Sequence, residues 1–202
     1  MVVGQYAKTK AQATADVLAA TKEGLNAVIV HPSGIVGPYD YGKGHLTNLV
    51  TEYYQGKLTA GIVGGYDFED VRDVAQGILL ACEKGRRGEC YLLSNHFYTI
   101  KEVLNLLQQI SGRQKIKTYL PLFILKTTAP LAEYYYKLRK QTPLYTPYSL
   151  YTLTSNANFS HEKATRELGY QTRRLELSLR DTIDWLKEQK RINEVSVFNF
   201  LK

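Results

Sequence analysis

The sequence predicts an α/β protein with a parallel sheet in its first half and a mainly helical second half. Three observations carry this. An alanine-rich stretch from Gln5 to Glu23 is followed by a short β-branched run, Ala27 to His31, and then by a Gly/Pro loop. A second helix-then-strand pair follows from Asp70 to Ser94. Beyond about residue 95, capped segments of helical spacing dominate. Parallel strands need a crossover, usually a helix, so this alternation reads as α/β.

The first helix is rich in alanine, the best helix former, and Gly24 stands where a left-handed residue would end it. Ala27 to His31 is apolar enough for a buried strand. His31-Pro32-Ser33-Gly34 then breaks the strand, since proline cannot donate to a ladder. From His45 to Gln55, Leu46, Leu49, Val50, Tyr53 and Tyr54 recur at helical spacing, closed by Gly56. Thr59 to Gly65 reads as a short extended piece ending in a Gly-Gly turn.

Asp70 to Lys84 reads as an amphipathic helix whose apolar face is Val71, Val74, Ala75, Ile78, Leu79 and Cys82. Glu69, Asp70 and Asp73 crowd its first turn, where the helix dipole favours acids. Glu89 to Ser94 is the second strand. Thr99-Ile100-Lys101-Glu102 forms a capping box before Val103, Leu106, Leu107 and Ile110, and Gly112 ends that helix. Pro121 to Lys140 is helical, with a break expected at Pro130. Gln141 to Thr154, with two prolines and three tyrosines, reads as an ordered loop with strand-like pieces. Ser160 is placed as the cap of a helix ending at Gly169, and Ser178 as the cap of a last helix carrying Leu179, Ile183, Trp185 and Leu186.

Net charge is +7, but the basic residues fall in small groups, among them Arg86-Arg87, Arg113 to Lys117, Lys137 to Lys140 and Arg173-Arg174. Nucleic-acid binders gather such charge around a reading module, which is absent here, so no nucleic-acid partner is expected. An anionic small ligand would use the same field. The most apolar run, Leu120 to Leu125, falls far short of the roughly 20 residues that span a bilayer, so no membrane partner is expected. Cys82 and Cys90 lack metal-ligand spacing; both are expected reduced and buried in a cytoplasmic protein, with no metal. The stretch Gly37 to Gly44 matches Gly-x4-Gly-Lys but has Gly44 where magnesium coordination needs a hydroxyl, which argues against an NTPase.

Tyr6 and Lys10 lie four apart and so share one face of the first helix. A cation beside a phenol favours the phenolate, which suits proton transfer. Alone this pair is weak. It is followed by a strand ending in Pro32-Ser33-Gly34-Ile35-Val36-Gly37-Pro38, then by Val71-Arg72-Asp73-Val74-Ala75, and finally by Lys163-Ala164, Glu167-Leu168-Gly169-Tyr170 and Trp185-Leu186. In that order and spacing the chain, over roughly residues 3 to 190, resembles the extended short-chain dehydrogenase/reductases. Within them it is most similar to the NAD-dependent epimerase/dehydratase group and its dihydroflavonol-reductase-like branch.

The resemblance implies the C-terminal part of a Rossmann-type parallel sheet over residues 1–95, interleaved with a mainly helical substrate lobe over 96–192, and a tail at 193–202. It implies Tyr6 as catalytic acid/base and Lys10 as the residue that holds the nicotinamide ribose and assists the tyrosine. Pro32, Ser33, Gly34 and Ile35 would border the nicotinamide end of NAD or NADP, at the strand end where such sheets bind ligands. His45 is a candidate for a substrate or phosphate contact, beside the plainer reading of a solvated or capping histidine. The tyrosines, clustered at Tyr134 to Tyr136 and at Tyr145, Tyr148 and Tyr151, are read mostly as packing residues with polar tips.

The family's Gly-x-x-Gly-x-x-Gly, which holds the cofactor pyrophosphate, is not found in this sequence. The expectation is therefore the C-terminal part of an NAD(P)-dependent oxidoreductase or epimerase/dehydratase acting on a small carbonyl or sugar-nucleotide substrate. The alternative is a truncated, catalytically silent binding or structural module, or half of a split enzyme. Its partner would then be a second copy or the missing N-terminal half.

Overall fold

The computed structural model describes residues 4–42, 44–121, 151–153 and 157–192. In chain order these form α1 (Gln5–Lys22), β1 (Ile29–Pro32), β2 (Gly34–Val36), α2 (His45–Tyr54), β3 (Gly61–Ile62), β4 (Gly65–Asp70) and α3 (Val71–Lys84). There follow β5 (Cys90–Leu93), β6 (His96–Thr99), α4 (Ile100–Ser111), β7 (Tyr119–Leu120), α5 (Glu162–Leu168) and α6 (Leu175–Glu188). The mixed α/β character with parallel strand pairs is the one expected. The helical segment expected up to Lys140, its break at Pro130 and most of the tyrosine-rich stretch after it lie outside the described residues.

The chain divides into two compact units, each assembled from separated segments. One holds Met1–Ile35, Asp67–Phe97 and Asn156–Arg173; the other holds Val36–Tyr66, Tyr98–Ser155 and Arg174–Lys202. A three-stranded sheet takes the order β2-β4-β6.

In the first unit, β1 and β5 pair in parallel, with Ile29 opposite Cys90 and Pro32 opposite Leu93. Pro32 was expected to break this strand, yet it is the last residue of the ladder. Ile29 N–H donates to Glu89 and Ser33 N–H to Leu93, so Pro32 turns its missing donor toward the other edge, where no bond is lost. The core joins Val74 and Ala81 of α3, Tyr91 and Leu93 of β5, and Ala164, Leu168 and Tyr170 in and after α5. Glu167 ties this layer down, accepting from Arg86 at 2.9 Å and from the Tyr91 hydroxyl at 3.0 Å. Lys163 closes it by donating to Glu89 at 2.6 Å and to the Cys90 carbonyl at 2.8 Å.

Which face of α3 is buried differs from the expected one. The buried line is Asp73, Val74, Gly77 and Ala81, while Ile78 and Leu79 stay 47% and 57% exposed. Two residues rotate the helix. Gly77 allows close approach, since a Cβ there would sit 2.8 Å from Leu93 and 2.9 Å from Tyr170. Asp73 is drawn inward by Arg173, as described below. Cys82 is consequently exposed and Cys90 half-buried, not buried as expected; both are free thiols.

In the second unit, β3 and β7 form a short parallel pair and α2, α4 and α6 pack together. Val50, Leu104, Leu107, Leu179, Ile183 and Leu186 are buried. The capping box of α4 is complete, with Thr99 Oγ accepting from Glu102 N–H and the Glu102 carboxylate from Thr99 N–H at 2.7 Å. Gly112 ends the helix at φ 65°, the left-handed conformation that glycine adopts without cost. Ser178 does not cap the last helix. α6 begins a turn earlier at Leu175, because Leu175 and Leu179 continue the buried stripe toward the N-terminus, leaving Ser178 buried inside. Likewise α5 begins at Glu162 after His161, although Ser160 Oγ still accepts from Glu162 N–H at 3.3 Å.

Candidate active site

The helix carrying the candidate acid/base is held at its far end. Of the residues of α1 only Thr21 is buried, and its carbonyl accepts from the Arg87 guanidinium. Toward the N-terminus the helix carries bonds of its own, Thr9 Oγ to the Gln5 carbonyl and Thr14 Oγ to the Lys10 carbonyl, each at 3.0 Å. Tyr6 is 64% exposed, and the Lys10 ammonium lies 5.8 Å from its ring centroid. That separation is near the outer limit of cation–π attraction. The helix thus presents a phenol and an ammonium side by side on an accessible surface.

The end of β1 is tied down from two sides. Ser33 N–H donates to the Leu93 carbonyl at 3.0 Å, and Ser33 Oγ donates to Asp67 Oδ1 at 2.5 Å. Asp67 is fully buried, and the same oxygen accepts from Asn95 N–H at 2.9 Å. Asn95 in turn donates its side-chain N–H to the Arg173 carbonyl at 2.9 Å. Ser33 is therefore fixed while Pro32 and Ile35 on either side remain exposed, Ile35 at 47%. Asp67 Oδ2, also buried, makes no hydrogen bond with described residues.

β4 and the first turn of α3 carry three further acids, Glu69, Asp70 and Asp73. Asp70 caps α3 by accepting from Arg72 N–H at 2.8 Å and takes the Arg72 guanidinium on both oxygens at 2.8 Å. Asp73 receives Arg173 N–H and Nε, each at 2.8 Å, with a guanidinium nitrogen at 2.6 Å. Glu69 has no such cation among the described residues. It accepts from Asp70 N–H at 3.2 Å and is fully buried. Burial first, then the negative charge of Asp73, push its carboxyl up to about 8, so it keeps its proton at neutral pH. The buried Tyr170 phenol lies close enough to act on Glu69, and burial, then Glu69 itself, push it well above the ordinary tyrosine range. Neither Glu69 Oε2 nor the Tyr170 hydroxyl completes a hydrogen bond of normal geometry.

Of the expected site residues, Tyr6 is brought beside Lys10, and Ser33 is anchored with Pro32, Gly34 and Ile35 around it, all within the first unit. His45 is the exposed first residue of α2 and belongs to the second unit. The Asp67, Glu69, Asp73, Tyr170 and Arg173 network was not foreseen. A signal existed: Asp67 and Glu69 alternate with Tyr66 and Phe68, which in a strand puts both acids on one face.

Among the described residues no group of three or more His, Cys, Asp or Glu is arranged to hold a metal. None of the described helices is long and apolar enough to cross a membrane.

Residues 3–94, which carry the Tyr6/Lys10 helix, the Ser33 loop and the acidic network up to β5, match the profile of the NAD dependent epimerase/dehydratase family. Over these residues the chain is similar to that family. The chain is 30% identical over 188 residues to sterol demethylase protein B of Methylococcus capsulatus, covering 91% of this chain and 57% of that protein. It is 27% identical over 190 residues to a dihydroflavonol 4-reductase-like protein of Synechocystis, covering 92% and 55%. Its fold matches a crystal structure of a nucleoside-diphosphate-sugar epimerase from Pseudomonas aeruginosa with a TM-score of 0.76, at 22% identity and over 95% and 58% of the two chains. The chain thus spans about half the length of the curated relatives it matches.

Proposed function

We propose that these residues are the C-terminal part of an NAD(P)-dependent oxidoreductase of the extended short-chain type. It would move a hydride to or from a carbonyl or alcohol carbon of a small molecule, with Tyr6 as acid/base. The observation that carries this reading is the accessible Tyr6/Lys10 pair on α1, within the span that matches the NAD-dependent family.

The residues present suit the nicotinamide end of the cofactor. The end of a parallel strand offers an exposed apolar rim, Pro32 and Ile35, around a hydroxyl that Asp67 holds still. On this reading Lys10 holds the ribose, and Pro32, Ser33, Gly34 and Ile35 border the nicotinamide. The cofactor, when bound, supplies or accepts the hydride. Tyr6 Oη gives its proton to the substrate oxygen as a carbonyl is reduced and takes it back in the reverse direction. The Lys10 ammonium offsets the charge left on the phenol oxygen. A carbonyl compound of the reductase kind suits the tyrosine-rich second half better than a sugar nucleotide does, and the similarity to a dihydroflavonol 4-reductase-like protein points the same way.

A second reading has its own support. α1 buries one residue, β1 pairs only β5 among the described strands, and α3 leaves Ile78 and Leu79 exposed. Such surfaces suit a chain that works bound to a second polypeptide, either an N-terminal half or another copy, and is catalytically silent alone. Titration calorimetry with NADH and NADPH separates the two. Micromolar binding by this chain alone rules out the silent reading. Absence of binding after a separate glycine-motif-containing N-terminal half has been added rules out the enzyme.

A further inference from the structure

In the second unit, the C-terminal ends of α2 and α4 meet a basic connecting segment, Gly112 to Thr118, around a cleft of about 780 Å³. That volume lies within the roughly 300–1,000 Å³ of small-molecule sites. Its walls are of two kinds. Tyr53, Leu58 and Ile116 give it an apolar side; Arg113, Lys115 and Lys117 give it a cationic one.

The segment is pre-shaped. The Tyr53 hydroxyl donates to the Gln114 carbonyl at 3.2 Å, and the Arg113 guanidinium lies 4.6 Å from the Tyr54 ring centroid. Arg113 Nε is buried without a hydrogen-bond partner. Elsewhere in this unit Arg174 and Arg180 are neutralised by Glu176, and Lys187 by Asp184. Arg113, Lys115 and Lys117 make no ion pair with described residues.

Charge indicates what the cleft takes. A helix C-terminus carries about half a negative charge, so two such ends offset about one of the three cations. About two positive charges are left for a ligand. A carboxylate would leave one of them uncompensated, whereas a phosphate monoester, at about −1.5 to −2, matches them. The apolar wall calls for a body that phosphate alone lacks.

We propose that this cleft binds a small phosphate monoester with an apolar or aromatic body, independently of the Tyr6 site. The test is titration calorimetry of the chain with phenyl phosphate, inorganic phosphate and benzyl alcohol. The expected result is saturable binding of phenyl phosphate, weaker binding of inorganic phosphate and none of benzyl alcohol. Lys115→Gln/Lys117→Gln, which spares the Arg113–Tyr54 stack, should weaken phenyl phosphate at least about tenfold with an unchanged circular dichroism spectrum. Lys101→Gln, on the exposed side of α4, should change nothing. No saturable binding of phenyl phosphate, equal affinity for inorganic phosphate, or equal losses in the Lys101 and Lys115/Lys117 variants would each overturn the proposal.

Discussion

Ser33 Oγ donates to Asp67 Oδ1 at 2.5 Å across 34 residues of sequence, and this bond fixes the loop at the end of β1 to the strand that leads into α3. Ser33→Ala would leave the fully buried Asp67 carboxyl with Asn95 N–H as its remaining donor. An under-satisfied buried acceptor costs about 1–3 kcal/mol. Urea unfolding should show that loss as a lower midpoint with an unchanged slope. If Ser33 borders the cofactor, the variant should also weaken NAD(P)H binding in the intact enzyme.

Glu69 makes stability depend on pH in a definite direction. Its folded carboxyl titrates at about 8, against 4.5 for an ordinary glutamate. Below about 4.5 it is protonated in both states and costs nothing. Between the two values the unfolded chain releases the proton while the folded protein retains it. Stability therefore falls as pH rises, by at most about 1.4 kcal/mol per pH unit, and levels off above about 8. Glu69→Gln removes this dependence. Urea midpoints at pH 5, 6, 7 and 8 should show the wild-type protein losing stability relative to the variant at each step. A difference constant with pH would mean that Glu69 is ionised in the fold.

Gly77 separates two opposing effects. Alanine is the better helix former by about 1 kcal/mol. A Cβ at this position, however, would sit within 2.8–2.9 Å of Leu93 and Tyr170, both fully buried. Overpacking of this kind costs about 1–3 kcal/mol, so packing should win. Gly77→Ala should lower Tm by a few degrees in calorimetry; a rise would show that the core yields.

The elements legible in the sequence were those written in local chemistry. The α4 capping box and its closing Gly112 needed only side chains within a turn of each other. The Tyr6/Lys10 pairing needed only helical periodicity. What stayed hidden was set by partners far away in sequence. Asp73 reads as a dipole-favoured surface acid until Arg173, 100 residues on, is placed against it. Ile78 and Leu79 fit an apolar stripe as well as Val74 does, but Gly77 decides which line of α3 reaches the sheet. α6 starts at Leu175 because packing extends the buried stripe past the local cap signal at Ser178. The Ser33 loop was located by its Pro-Ser-Gly pattern, yet its anchor Asp67 was not: the alternation of Asp67 and Glu69 with Tyr66 and Phe68 puts both acids on one face of a strand without saying that this face is buried.

The proposed role of Tyr6 is tested most directly by Tyr6→Phe in the proposed full-length enzyme, assayed with NAD(P)H and any carbonyl substrate that the unmodified protein is found to reduce. Removing the hydroxyl while keeping the ring should cut turnover by about 10²–10⁴-fold, the usual contribution of a positioned acid/base. The NAD(P)H dissociation constant should stay unchanged. Turnover within a few-fold of the unmodified enzyme would contradict the assignment of Tyr6 as the group that handles the substrate's proton.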